Sequence, residues 1–139
     1  MNKRFAISVV VLFIVSMALD FVIHGALLGQ DYQKLAERGV FRSEAESQPL
    51  FGAMLVAHVL MAIGFTWIYR QGREGKPFLW QGVRFGIAVS LLCAIPNYLI
   101  YYVVQPLPSD LVAKQIALTI VQVVILGIVA AAVNRDGVR

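Results

Sequence analysis

At 139 residues, 59% of them hydrophobic and only 14% charged, with a mean hydropathy of +0.74, the chain carries more long apolar runs than a soluble domain of this size needs. Its formal net charge is +4 and its isoelectric point near 9.5, but the basic residues flank apolar runs instead of forming a patch interleaved with polar sequence. They read as topology signals, which excludes a nucleic-acid surface, and the single cysteine, Cys93, excludes an intrachain disulfide and a Cys-x-x-Cys motif.

The first apolar run follows Lys3 and Arg4 and continues to Leu28. Ser16-Met17-Ala18 resembles a signal-peptide cleavage site, yet the run is long enough to span, so it reads as an uncleaved first membrane helix over about 4–28. Further spans are expected at about 50–69, 82–104 and 111–133, each near the ~20 residues a bilayer requires. The fold class expected is all-α: a single domain over 1–139, built as an up-and-down four-helix transmembrane bundle.

Charge sets the expected orientation. Lys3 and Arg4 precede the first span, Arg70, Arg73, Lys76 and Arg84 flank the second connection, and Arg135 and Arg139 end the chain. By the positive-inside rule these lie in the cytoplasm, with both termini there. The first outer connection, 30–49, has three basic residues against four acidic ones, and the third, 105–110, has no base. Within the former, 31–38 is a candidate short helix, with Tyr32 and Leu35 three apart and Gly39 as its stop, lying on the membrane surface or capping the bundle. This pattern, with Asp-x3-His near the outer end of the first span, resembles that of small bacterial inner-membrane proteins.

Small residues recur four apart at Gly25 and Gly29, Ala53 and Ala57, Gly82 and Gly86, and Gly127 and Ala131. Such spacing lets helices approach closely, within a bundle or across the interface of a homo-oligomer or larger membrane complex.

The polar residues inside the spans carry the functional argument, because ionisable groups in hydrocarbon are expensive and normally face a bundle interior. Asp20 and His24 lie one turn apart, and His58 falls at about the depth of Asp20, ~12 to 14 Å below the outer end of its helix. Asn97 and Tyr101 on the third span, and Gln115, Thr119 and Gln122 on the fourth, occupy the same outer half. The inner halves of the first and fourth spans, 5–15 and 123–133, are apolar apart from Ser8. Each helix therefore offers one polar stripe, and burying the four together makes an outward-facing polar pocket lined by Asp20, His24, His58, Asn97, Tyr101, Gln115, Thr119 and Gln122. Pro96 is expected to kink or widen the third span beside it.

Three readings of that pocket stand side by side. It is polar glue between helices; or it binds a small ligand, an ion or a proton, with Asp20 setting the charge of the histidines; or Asp20, His24 and His58 hold zinc or iron, or the two histidines haem. Nucleophilic hydrolysis is unsupported, since Ser8, Ser16 and Ser90 have no neighbouring base and no Gly-x-Ser-x-Gly elbow occurs. A scaffold or accessory subunit of a membrane complex is the non-enzymatic alternative, with the lipid bilayer as the one partner that composition implies.

Overall fold

The computed structural model describes residues 3–135. Among them are five helices and no strand: α1 (Lys3–Leu27), α2 (Gly29–Glu37), α3 (Glu44–Gln71), α4 (Phe78–Val104) and α5 (Ser109–Asn134). All but α2 are long and apolar enough to cross a bilayer, which makes this a multi-pass membrane protein by its four candidate spans.

Local chemistry explains where the elements begin and end. The second span starts well before residue 50 because Ser43 and Glu46 form a capping box, each side chain satisfying the other's backbone N–H. Pro77 likewise starts α4 at Phe78, earlier than the Gly82 expected from hydropathy, since a proline supplies no N–H and opens a helix without loss. The short surface helix lies at Gly29–Glu37 and stops at Gly39, whose φ of +71° suits a residue without a Cβ. There the Val40 N–H bonds the Leu35 carbonyl at 2.9 Å and the Gly39 N–H bonds Ala36 at 3.0 Å, closing the helix end.

Two spans are not uniform. The last turns of α1, Phe21–Leu27, widen to π geometry, and so does Ser90–Ala94 in α4, just before Pro96. Such widenings are concentrated at functional sites and where a proline interrupts the hydrogen-bond ladder.

Side-chain pairings give the neighbours and their directions. Ser8 meets Thr66 while Asp20 meets His58, so α1 and α3 run antiparallel; Ser8 also meets Asn134 while Asp20 meets Gln122, so α1 and α5 do too. Leu12, Ala62, Phe65, Tyr69, Leu126, Ala130 and Ala131 form the buried core between them. A second apolar cluster, Ile23, Leu28, Leu35, Leu107, Leu111 and Val112, seats α2 on the ends of α1 and α5.

The contact of α4 with α5 depends on glycine. A Cβ on Gly82 would fall 2.6 Å from the Ile128 Cα, and one on Gly86 2.5 Å from the Val124 Cα, so the two backbones touch. Two of the small-residue pairs thus serve packing within the chain, whereas Ala53 and Ala57 remain exposed.

Candidate functional site

Asp20, at the end of the regular part of α1, is the point where α1, α3 and α5 converge. Gln122 of α5 donates its amide to Asp20 Oδ1 at 2.6 Å, and His58 of α3 bonds Oδ2 through Nε2. The other ring nitrogen of His58 faces the Met54 carbonyl at 2.8 Å. A carbonyl only accepts, so Nδ1 carries a proton there. Carboxylate oxygen and Nε2 would both be acceptors without a second proton, so their hydrogen bond also holds one. Asp20 and His58 together are thus electrically neutral, the cheapest state for an acid and a base in hydrocarbon.

His24 occupies the other side of Asp20, its Nε2 3.8 Å from Oδ1. Its Nδ1 lies 2.7 Å from the Tyr32 hydroxyl, and the two rings stack at 5.8 Å. Gln115 donates to the same hydroxyl at 3.1 Å. With Gln115 donating in, the Tyr32 hydroxyl donates on to His24 Nδ1, which leaves the Nε2 proton of His24 facing Asp20. Burial pushes the Tyr32 phenol up to about 12, which keeps this donor protonated. The folded protein holds that proton more tightly than the unfolded chain, so this contribution is complete below pH 10 and is lost as pH rises towards about 12. Tyr32→Phe should cost about 1 kcal/mol through its two hydrogen bonds. It should also remove the latest-titrating component of the tyrosinate absorbance; an unchanged titration would show that Tyr32 is not buried in this way.

The sequence puts Tyr32 and Leu35 on one face of a short helix but gives Tyr32 no place in the polar pocket; with Leu28 they form the face that covers the bundle.

Beside this network lies a cleft of about 1040 Å³ between α1 and α3. Met17, Phe21, Phe51 and Met54 supply apolar wall, Asp20, His24 and His58 supply polar groups, and Tyr32, Phe41, Arg42 and Glu44 close it on the α2 side.

The expected eight-residue lining is only partly brought together. Gln122 and Gln115 bind Asp20 and Tyr32 from α5 without lining the cleft, and Thr119 pairs with the Tyr98 hydroxyl at 3.2 Å. Asn97 and Tyr101 are exposed on the outside of α4, so their assignment to the interior is corrected. Helical phase alone turns the stripe through Asn97 inward. That inference fails on a span whose phase shifts at Ser90–Ala94, just before Asn97. For a metal, among the described residues no group of three or more His, Cys, Asp or Glu has a suitable arrangement. The hydrogen bonds explain this, since both nitrogens of His58 and Nδ1 of His24 already have partners.

The opposite end is less apolar than expected. Ser8, Thr66 and Asn134 are buried together, with Asn134 donating to Ser8 Oγ at 2.9 Å and Ser8 sharing a hydrogen bond with Thr66 at 3.3 Å. Arg73 caps this end by donating to the Asn134 carbonyl at 2.5 Å. All three side chains are satisfied, which suits a structural clamp.

Comparison with known proteins adds a family. A model described as protein of unknown function (DUF1761) matches residues 7–131. No curated protein and no solved structure matches. The match covers most of the four spans and both halves of the Asp20–His58 pair, and the chain belongs to the DUF1761 family.

Proposed function

We propose that this protein binds a small amphipathic molecule in the cleft between α1 and α3, with its apolar body against Phe21, Phe51 and Met54 and its polar head at Asp20, His24 and His58. The supporting observation is the cleft itself. Its volume of about 1040 Å³ is at the upper end of the range for small-molecule sites, and a few converging polar groups lie among apolar walls. Exposed Phe21 and Phe51 at its side make it reachable from lipid. In this reading the spans form an up-and-down bundle in a bacterial inner membrane. Lys3, Arg4, Arg70, Lys76 and Arg84 hold one end, with both termini, in the cytoplasm, and the cleft opens near the outer face. The proton shared by Asp20 and His58 lets the site donate or accept a hydrogen bond without becoming charged.

Photolabelling in native membranes tests this, using a long-chain alcohol that carries a diazirine. Adducts should concentrate on Met17, Phe21, Phe51 and Met54 and fall to background in Met54→Trp, where the indole fills the cleft. Labelling spread evenly over the exposed residues of α4, unaffected by the tryptophan, would overturn the reading.

A further inference from the structure

Asn97 presents its carboxamide to the outside of α4, seven residues before the helix ends at Val104, which places it ~10 Å below that end. Among the described residues it has no hydrogen-bond partner, and its neighbours Leu92, Leu99, Ile100 and Val103 are exposed apolar side chains. A lipid tail offers this amide neither a donor nor an acceptor, and polar side chains at such depth rarely face lipid. Immediately before it, Pro96 contributes no N–H to the ladder, so a backbone carbonyl about one turn earlier lacks its helical donor.

From this we infer that α4 is a self-association surface and that its occupant is a second copy of this chain, paired about a two-fold axis along the membrane normal through Asn97. The argument is one of charge complementarity. A carboxamide has a positive N–H pole and a negative C=O pole, and a two-fold axis brings each pole of one copy to the opposite pole of the other. Two copies inserted the same way up that use this same face meet about such an axis, which places Cys93, Asn97, Ile100, Tyr101 and Val104 of both on facing stripes. All five are exposed in the single chain. The cleft is not involved, since its lining comes from α1, α2, α3 and their connections. The association thus stands or falls independently of ligand binding.

The chain's only cysteine provides the test. Cys93 is one turn from Asn97 on the same stripe, so a short bis-maleimide should link two wild-type copies in native membranes and fail with Cys93→Ala. Single-molecule photobleaching in liposomes should show two-step traces for wild type and for Asn97→Gln, which keeps both poles. Asn97→Leu should weaken the pair about tenfold or more while leaving helicity and unfolding unchanged, because Asn97 is exposed and has no hydrogen-bond partner among the described residues. One-step bleaching of wild type, or undiminished pairing and cross-linking of Asn97→Leu, would overturn the inference. So would a Cys93 adduct formed only with a different protein.

Discussion

Replacing Gly127 by valine is expected to destabilise the protein by about 3 kcal/mol or more, because backbone and not a flexible side chain must give way. A Cβ at Gly127 would overlap the Gly82 carbonyl oxygen, and the Gly82 and Gly86 positions are blocked in turn by Ile128 and Val124. Separating α4 from α5 would also pull Phe85 away from its edge-on contacts with Phe65 and Tyr69, at 4.8 and 5.3 Å, which join α4 to α3. The control has the opposite sign. Gly64 on α3 has open space where a methyl group would go, so Gly64→Ala should be neutral or gain up to about 1 kcal/mol from helix propensity. Denaturation in mixed micelles, followed by helical ellipticity, reads both. A Gly127→Val variant as stable as wild type would show that the α4–α5 contact is looser than the glycines imply.

The second large effect concerns the buried pair. His58→Ala removes the base that neutralises Asp20, and its expected cost is about 2 to 3 kcal/mol, reduced from the fully buried case because Asp20 retains some exposure. Asp20→Asn should cost only about 1 kcal/mol. Its amide can donate to His58 Nε2 while its carbonyl still accepts from Gln122, so both hydrogen bonds survive with neutral partners. Equal losses in the two variants would mean that charge pairing, and not hydrogen-bond geometry, dominates at this site.

Much of this arrangement is legible in the sequence, for identifiable reasons. Four apolar runs of spanning length need no tertiary information. Asp20 and His58 could be matched because depth along a span counts residues from its end, and antiparallel neighbours preserve depth. Rotation about the helix axis is harder to read. On α4 the four-residue spacing of Gly82, Gly86 and Ser90 marks the inside of the first half, but the wide turn at Ser90–Ala94 shifts the phase just where Asn97 follows. The clamp of Ser8, Thr66 and Asn134 was hidden for another reason. Asn134 lay one residue beyond the expected end of its span, and Thr66 is inconspicuous in an apolar run. Tyr32 needed the position of α2 over the bundle, which its own spacing suggests but cannot place.

A double-mutant cycle on Asp20 and His58, both changed to alanine singly and together, tests the central claim most directly. If the two side chains stabilise this end of the bundle by sharing a proton, the double variant should be no less stable than the worse single one, with a coupling of about 2 kcal/mol. Losses that add to within about 0.5 kcal/mol would contradict that account, showing that the two residues act independently and that no neutral acid–base pair is at the end of the cleft.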